Sequence, residues 1–460
     1  MTCAGLVQES QVDLPYVRAD DHDTVKGTVT YPSGGAVCAF HIIDLGAMQI
    51  LDSRGRPTLS VTVTLAGGAT GWAGVPSGAS TGAREAVELR DGDSGRYAGA
   101  GVTRAAARIT GTIFHRLKGR PWYSLADVDQ ALIELDGTPD KSRLGGNATV
   151  GVSMAVARAV AAAHGQQLWE FLSPSTVRPR MPVPHFNMVS GGMHASNQLD
   201  FQEFMIAPIG APSMAEAVRA GVEIYAVLRA NLAAAGRPTG QGDDGGFAPD
   251  FTRPREVLTA LMRAIDDAGY TAARDQVAIA LDPAATRFRD ADGAYRVAGE
   301  RLSGPELIEL YADLAADFPI WSIEDGMAED DADGWRRLTE RLGERLQLVG
   351  DDVFCTNPAV IEQGIAGAVA NAALIKVNQA GTVTETLQAM DLCRKHGYAR
   401  MVSHRSGETV DDFIAELAVA TGCGQFKGGA PARGERVIKY NRLMHIAAQR
   451  PDLPYGLADR

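Results

Sequence analysis

The feature that most constrains the fold is a repeat in the second half of the chain, where short apolar segments alternate with segments of helical length. The apolar segments end in polar residues and include VAIALD (277–282), PIWSIED (319–325), LQLVGDD (346–352), ALIKVN (373–378) and ARMVSHR (399–405). Continuous apolar strands that alternate with helices are typical of a parallel sheet covered on both faces. So many units between residues 179 and 450 favour a closed β/α barrel over an open sheet.

The part of the chain that precedes this repeat has a different pattern. Residues 41–178 combine period-two segments such as TLSVTVTL, a turn-rich segment and helical patterns, which predicts a smaller α+β domain. Residues 1–40 are mixed and acidic, and we interpret them as an N-terminal extension. The sequence thus predicts an α/β protein with a domain at 41–178, a catalytic barrel at 179–450 and a tail at 451–460.

Charge and cysteine content limit the partners and the compartment. Forty-four basic against 56 acidic residues give a net charge of −12, which argues against nucleic acid or an acidic membrane as the main partner. A small anionic substrate remains compatible with a local cationic pocket. Five scattered cysteines without a CxxC pair, and a first segment unlike a signal peptide, favour a reduced cytoplasmic protein. No apolar run reaches the ~18 residues of a membrane span.

The polar residues at the predicted strand ends are the candidates for chemistry, because β/α barrels place their catalytic residues there. These residues are Asp282, Glu324, Asp351, Lys376, His404 with Arg405, and Lys427. Three carboxylates on successive strands form an oxygen-only set of ligands that suits Mg²⁺. The alternative is that these acids cap helices or meet solvent.

Three cations follow on the next strands, at Lys376, Arg405 and Lys427. Beside a divalent metal they would bind a multiply charged anion, such as a carboxylate plus a phosphate. A lysine crowded by Mg²⁺ and by a second lysine can lose its proton near neutral pH and act as a general base. The alternative is that all three are surface ion-pair partners.

A glycine pattern in the middle of the chain matches a nucleotide-binding fingerprint by letter only. Gly240-x-Gly242-x-x-Gly245 follows a helical segment and precedes FAPDF, whereas the fingerprint lies between a strand and a helix. We therefore reject a nucleotide cofactor and expect these glycines to let the backbone approach a charged ligand.

Longer motifs, taken together and in order, resemble those of enolase (phosphopyruvate hydratase). They are ILDSRGRPT (50–58), VPSGASTG (75–82), LDGT (135–138), GGMH (191–194), QEFMI (202–206), SIED (322–325), GDD (350–352), LIKVNQAGT (374–382), SHRSGET (403–409) and KGGAP (427–431). The resemblance implies a small α+β cap domain on an eight-stranded barrel, and commonly a homodimer or a larger homo-oligomer. It also implies a hydro-lyase that converts a small phospho-acid to an enolpyruvate ester.

The resemblance also implies roles for individual residues. One Mg²⁺ would be held by Asp282, Glu324 and Asp351, and a second Mg²⁺ would join the substrate with Ser80 as a ligand. Lys376 matches the base that removes the proton next to the substrate carboxylate. The remaining matches are Arg405 and Ser406 for the phosphate, Lys427 for the carboxylate, His404 in the substrate site, and His194, Gln202 and Glu203 for the second catalytic loop.

One departure from the enolase pattern touches the chemistry directly. Enolases carry Gly-Asp-Glu-Gly-Gly where this chain reads Gly242-Asp243-Asp244-Gly245-Gly246, so Asp244 is one methylene shorter than the family's acid. A misplacement of about 1 Å can lower a rate about 100-fold. Met193, Gly326 and Gly428 also replace the residues usual in the family, and we expect these changes to cluster near the same pocket.

Several functions remain open at this level. A specialised paralogue, similar to the carboxyphosphonoenolpyruvate synthase of phosphinate antibiotic biosynthesis, would explain the change at Asp244 and is the interpretation we favour. Neutral drift in an ordinary glycolytic enolase is the alternative. A racemase-like branch would lack SHRSGET and PSGAST, which this chain has, and a non-catalytic scaffold would be expected to lose Lys376 or a metal ligand, which it keeps.

Overall fold

The structure is a computed structural model that describes residues 39–79 and 82–458, together with the backbone of two short strands before them. These are β1 (Asp13–Tyr16) and β2 (Val25–Thr28), which pair antiparallel. The rest of the predicted extension at 1–40, apart from residues 39 and 40, lies outside the described residues. The predicted domain boundaries stay predictions.

The first domain is an antiparallel sheet packed on helices. Its strands are β3 (Ile42–Leu51), β4 (Pro57–Leu65) and β5 (Thr70–Gly74), and its helices are α1 (Thr103–Arg108), α2 (Phe114–Leu117), α3 (Leu125–Asp136), α4 (Gly146–Ala163) and α5 (Leu168–Leu172). The strands pair in the order β3-β4-β5. Most residues of the apolar helix α4 are buried. A Cβ at Gly71 would lie 2.0 Å from the Ala155 carbonyl oxygen, so the sheet packs directly on the α4 backbone.

The second domain is a closed barrel of eight strands with helices around it. In chain order its elements are β6 (Val183–Ser190), β7 (Glu203–Pro208), α6 (Met214–Ala234), α7 (Pro254–Asp267), β8 (Val277–Asp282), β9 (Tyr295–Val297), β10 (Glu300–Leu302), α8 (Gly304–Asp317), β11 (Ile320–Glu324), α9 (Ala332–Leu342), β12 (Gln347–Gly350), α10 (Pro358–Ala366), β13 (Ala372–Ile375), α11 (Val377–Ala380), α12 (Val383–Lys395), β14 (Ala399–Ser403), α13 (Phe413–Ala420), β15 (Gln425–Gly429) and α14 (Gly434–Gln449). The strands pair in the order β11-β12-β13-β14-β15-β6-β7-β8. The predicted barrel, with a smaller α+β domain before it, is confirmed.

The expectation of a wholly parallel sheet is wrong at one strand. Strand β7 runs antiparallel to both β6 and β8. The cause is local, because the chain returns from β6 to β7 through residues 191–202 without an intervening α-helix. Parallel neighbours need a crossover connection, whereas a direct return gives an antiparallel pair.

The barrel is filled by two small apolar clusters that are separate from the layer between strands and helices. One contains Ala278 and Ala280 of β8, and the other contains Ala372 and Leu374 of β13. The residues between them on each strand belong to the outer layer instead. The side-chain period of two therefore fixes which residues point into the barrel. None of the described helices is long and apolar enough to cross a membrane.

Polar contacts hold the two domains together above the carboxyl ends of the barrel strands. Arg158 of α4 pairs with Asp411 at 2.8 Å, and Thr149 Oγ1 donates to the Gly381 carbonyl at 2.8 Å. The loop after β5 lies across the mouth of the barrel, where Ala79 N donates to Ser406 Oγ at 2.7 Å. The first domain is thus a cap over the strand ends.

Candidate active site

The alternation of side chains along the strands directs the first candidate residues into the barrel. Asp282 lies two residues after Ala280, and Lys376 lies two residues after Leu374, both of which face the barrel interior. Asp282 ends β8, and Lys376 directly follows β13. Alternation along a strand brings both side chains to the barrel mouth from different directions. An apolar run that ends in a polar residue is the local pattern that produces this arrangement.

Lys427 stands at the centre of an acidic group. Its Nζ lies 2.8 Å from Asp282 Oδ2, 2.9 Å from each carboxylate oxygen of Glu324 and 3.3 Å from Glu203 Oε2. Burial by itself lowers the pKa of Lys427, but the neighbouring Asp282 and Glu203 raise that pKa well above its usual value. Lys427 is therefore an ammonium group surrounded by three buried carboxylates.

Lys376 is paired with Asp351 rather than with the other acids. Its Nζ donates to Asp351 Oδ2. Burial lowers the pKa of Lys376, but Asp351 outweighs that effect and the net pKa is raised. The expectation of a lysine that loses its proton near neutral pH concerns Lys376 beside bound Mg²⁺, and it stays a prediction. Lys376 can act as a base only when this ion pair is broken.

Arg405 is held by a residue that the sequence analysis did not single out. Its Nη1 donates to Glu85 Oε2 at 2.8 Å and to Asn378 Oδ1 at 3.1 Å. Burial lowers the pKa of Arg405, and the Glu85 carboxylate raises it to a net value above normal. Glu85 also accepts a bond from Gln379, which in turn donates to Asp351 at 3.0 Å. Glu85 lies three residues after the motif VPSGASTG and Gln379 lies within LIKVNQAGT, which is the signal that could have identified them.

The second catalytic loop brings an imidazole between two carboxylates. His194 Nδ1 lies 3.3 Å from Glu203 Oε1 and 3.5 Å from Asp244 Oδ2. Burial lowers the pKa of His194, but Asp244 and Glu203 raise it to about 10. His404 behaves in the opposite way, because burial and the nearby Arg436 lower its pKa well below normal. His194 is therefore a cation at neutral pH, whereas His404 is neutral.

The candidate residues surround a small polar cavity of about 20 Å³. All but Ser403 are residues that the sequence analysis named: His194, Gln202, Glu203, Asp282, Lys376, Ser403, His404, Arg405, Ser406 and Lys427. Two lysines and one arginine are among them: Lys427 lies on β15, and Lys376 and Arg405 lie one and two residues after β13 and β14. The cavity is thus suited to a small substrate with more than one negative charge.

The predicted metal ligands lie around this cavity, but lysines stand among them. The carboxylates of Asp282, Glu324 and Asp351 are all buried. Within the described residues, the sets whose ligand atoms lie within 4.8 Å of one another are His194 with Glu203 and Asp244, and Asp325 with Asp351 and Asp352. Asp282 and Glu324 are paired with Lys427, whereas Asp351 is paired with Lys376.

The donor chemistry nevertheless fits Mg²⁺. All three groups offer oxygen, the ligand that this cation prefers, and Asp282 Oδ1 is buried without a hydrogen-bond partner. Burial and the neighbouring Asp282 raise the pKa of Glu324 well above its usual value. Negative charge therefore accumulates at these strand ends, and a divalent cation would stabilise it.

Three of the described site residues that were predicted, Glu324, Asp351 and Asp244, are not part of the cavity lining. Ser80 lies outside the described residues. Asp244 is fully buried and accepts hydrogen bonds from Asn187 and Ser190, so it lies behind His194 rather than against the cavity. Asn187 and Ser190 were missed by the sequence analysis, and the signal for them is two polar residues in the fully buried strand β6.

The glycines near Asp244 have a different use from the one expected. A Cβ at Gly242 would lie 2.5 Å from the His194 carbonyl oxygen, and a Cβ at Gly246 would lie 2.5 Å from Ser190 Oγ. These glycines let the loop pack against β6 and the loop after it rather than against a ligand.

The expected clustering of substitutions at the pocket is wrong for two of them. A Cβ at Gly428 would meet Phe426 and Tyr440, at 2.6 and 2.8 Å, and a Cβ at Gly326 would meet Leu338 at 2.9 Å. Both glycines serve packing behind the strands. Met193 is 55% exposed and precedes the cavity residue His194.

The fold and the site together define a class: a β/α-barrel protein with an α+β cap and buried acids and lysines at the strand ends. Two family models match the chain, "Enolase, N-terminal domain" over residues 42–172 and "Enolase, C-terminal TIM barrel domain" over residues 178–452. The chain therefore belongs to the enolase family. Membership supports an enolase-superfamily lyase, and the family generally uses Mg²⁺, binds small phospho-acids and is typically oligomeric.

Proposed function

We propose that this protein is a Mg²⁺-dependent hydro-lyase that removes the α-proton of a 2-phosphoglycerate-like acid and eliminates its β-hydroxyl group. The products are an enolpyruvate ester and water. The observation that carries this proposal is the arrangement of Lys376, Arg405 and Lys427 around one buried polar cavity lined by acids. A base, an anion site and an acidic ligand set are the parts that such an elimination requires.

The cations of the cavity have separate tasks in this proposal. Lys376 Nζ, released from Asp351, takes the α-proton. Arg405, fixed by Glu85 and Asn378, holds the phosphate-like group together with Ser406. Lys427 neutralises charge that develops on the substrate carboxylate. The α-proton next to a carboxylate is only weakly acidic, so stabilising this charge is the main requirement of the reaction.

A second group of cavity residues is assigned to the departure of the hydroxyl group. His194, Gln202 and Glu203 line the cavity. Burial raises the pKa of Glu203, so this carboxylate takes up a proton more readily than an exposed glutamate and, once protonated, can donate it to a leaving hydroxyl group. The hydroxyl group takes up a proton and leaves as water with the electron pair of its C–O bond. The electron pair of the broken C–H bond forms the new carbon–carbon double bond.

Asp282, Glu324 and Asp351 are the residues that would hold Mg²⁺, with Ser80 as a further ligand beside the substrate. When bound, Mg²⁺ supplies positive charge that stabilises an anionic carboxylate. An Asp351 carboxylate that held the cation would no longer pair with Lys376, and this would favour the uncharged amine.

We further propose that the substrate is a phosphonoformyl analogue of 2-phosphoglycerate, as in carboxyphosphonoenolpyruvate synthase. The support is Asp244, a shorter acid than the family's glutamate, and the exposed Met193 next to the cavity. An ordinary glycolytic enolase is the second candidate. It is favoured by the retention of every predicted base, anion contact and metal ligand of the family.

A comparison of two substrates tests both levels of this proposal. The purified full chain with Mg²⁺ is given 2-phosphoglycerate or the phosphonoformyl analogue, and the enol product is followed by phosphorus NMR. We expect a higher kcat/KM for the analogue, and no turnover of either compound after chelation of divalent cations. Faster turnover of 2-phosphoglycerate would replace the specialised substrate by the glycolytic one. Turnover of neither compound, or turnover without metal, would contradict the lyase itself.

A further inference from the structure

A buried polar cluster behind the cavity has no role in the chemistry described so far. It consists of Asn187, Ser190 and Asp244, and is called the Asp244 cluster below. Each of these side chains is fully buried. Asn187 Nδ2 donates to Asp244 Oδ2 at 2.5 Å, and Ser190 Oγ donates to Asp244 Oδ1 at 3.0 Å. Both oxygens of Asp244 are thus committed to groups on β6.

The His194 side chain lies between the Asp244 cluster and the cavity. Asp244 is not among the residues that line the cavity, whereas His194 is. His194 Nδ1 lies 3.5 Å from Asp244 Oδ2 and has no hydrogen bond of good geometry. An imidazole ring has two nitrogens, so the one that faces an acid fixes the orientation of the other.

The surrounding backbone prevents the cluster from turning toward the substrate. Gly242 N donates to the Gly246 carbonyl at 2.8 Å, and Asp243 N donates to the His194 carbonyl at 3.1 Å. A Cβ at Gly246 would lie 2.8 Å from Asn187 Nδ2 as well as 2.5 Å from Ser190 Oγ. There is no free space on this side into which the loop could move, so the direction of the Asp244 side chain is fixed by packing.

We infer that Asp244 is a positioning residue, held by Asn187 and Ser190, that orients the His194 ring toward the substrate and does not itself meet the substrate. This inference rests on the proposed function, and it assigns roles to Asn187 and Ser190. His194 then presents a fixed cationic face to an anionic group of the substrate. The shorter acid is explained by this geometry, because a carboxylate that acts through His194 need not reach into the cavity.

Other charged groups act on the same ring. Glu203 of β7 faces His194 Nδ1 at 3.3 Å and is itself paired with Lys427 of β15 at 3.3 Å. His404 and Arg436 act on Asp244 from the side of β14 and α14. Glu203 remains in place when Asp244 is changed, so the loss of Asp244 should lower the basicity of His194 without abolishing it.

The test follows the His194 ring directly. Full-length protein with nitrogen-15-labelled histidine is titrated by NMR as wild type and as Asp244→Asn, with the His194 signal assigned from His194→Gln. We expect the titration midpoint of His194 to fall by at least about one pH unit in Asp244→Asn. Because hydrogen bonds to charged groups are strong, kcat should fall about 10- to 100-fold, and the alkaline limb of the pH–rate profile should move down with the midpoint.

Two further variants keep the test decisive. Ser190→Ala removes one hydrogen-bond donor to Asp244 and should shift the titration midpoint of His194 by a smaller amount than Asp244→Asn does. This variant tests the inference even if Asp244→Asn folds poorly. Ser153→Ala removes another fully buried serine hydroxyl, which accepts from Val383 N at 3.0 Å, and should leave the His194 midpoint unchanged.

The outcomes separate this inference from the proposed function. A His194 midpoint that is the same in wild type, Asp244→Asn and Ser190→Ala overturns the inference. Loss of turnover in Asp244→Asn with an unchanged midpoint also overturns it, because Asp244 would then act on the substrate directly. Wild-type protein without turnover of either substrate contradicts the proposed function, while the His194 titration still reports on the cluster.

Discussion

At the scale of single residues, the site is governed by lysines that serve as counter-ions to buried acids. Lys427 contacts three carboxylates and Lys376 contacts one. Isolated buried charges are strongly unfavourable, so each lysine stabilises the acids that a metal would otherwise bind. A Mg²⁺ ion bound by Asp282, Glu324 and Asp351, as proposed, would compete with the lysines for the same oxygens, and this would link metal binding to the protonation state of Lys376.

The Glu85–Arg405 pair gives the first prediction. Glu85→Gln should raise the KM for the anionic substrate about tenfold, because Arg405 loses the charged partner that fixes its guanidinium. Steady-state kinetics with 2-phosphoglycerate and with its phosphonoformyl analogue measure this effect. Glu309→Gln, which breaks an exposed ion pair with Arg341, is the matched control and should leave KM unchanged. An unchanged KM in Glu85→Gln would show that Arg405 needs no such support.

Residue-level geometry was the part least accessible from the sequence. The residue types at the strand ends could be predicted, since polar residues that follow apolar runs can be recognised in the sequence alone. The distances between side chains could not, because Lys427 reaches Asp282 across 145 positions of chain. The direction of Asp244 was also inaccessible, since it depends on two polar residues of β6, a strand 54 or more positions earlier.

At the scale of elements, alternation along the barrel strands determines which residues enter the site. The predicted segments 277–282 and 399–405 contain β8 and β14. At the N-terminus of α6, the S-x-x-E sequence that begins at Ser213 forms only half of a capping box. Ser213 accepts from Glu216 N at 3.3 Å, but the Glu216 carboxylate binds Arg219 instead. Element types follow from local periodicity, whereas such partner choices depend on neighbours.

The contact between α4 and the segment before α13 gives the second prediction. Asp411→Asn should lower the free energy of unfolding by about 3 kcal/mol at neutral pH, because it leaves the guanidinium of Arg158 without its buried partner. Burial raises the pKa of Asp411, but Arg158 lowers it to a net value below normal. The stabilisation is therefore present above the unfolded pKa of about 3.9 and is lost as the pH falls below it.

Urea unfolding of both proteins at neutral and at acidic pH measures this dependence. The difference between wild type and Asp411→Asn should shrink as Asp411 becomes protonated. Asp250→Asn breaks an exposed pair with Arg237 and should change stability little at either pH. A difference between wild type and Asp411→Asn that grows toward acidic pH would contradict the assignment.

At the scale of the whole molecule, the cap presents an edge strand with exposed apolar side chains. Strand β3 forms one edge of the three-stranded sheet. Ile43, Met48 and Leu51 on this strand are 54%, 61% and 55% exposed. A long apolar edge strand is a liability unless something covers it. We predict that a second copy of the chain does so in a homodimer or a larger homo-oligomer.

Met48→Asp should weaken such an assembly, because it places a charge in the covered edge. Light scattering coupled to size-exclusion chromatography should show a shift toward monomer at low protein concentration. Val222→Asp changes another exposed apolar side chain, 46% exposed on α6, and should leave the assembly intact. An equal response of the two variants would place the interface elsewhere.

The most direct test of the account is exchange of the substrate α-proton with solvent. 2-Phospholactate lacks the β-hydroxyl group, so proton removal can be measured without elimination. In deuterated buffer with Mg²⁺, wild-type protein should incorporate deuterium at Cα, and Lys376→Met should slow this by about 10²- to 10⁴-fold. Lys395→Met, at a half-exposed helix lysine, should behave like wild type. Exchange that persists at the wild-type rate in Lys376→Met would contradict the account.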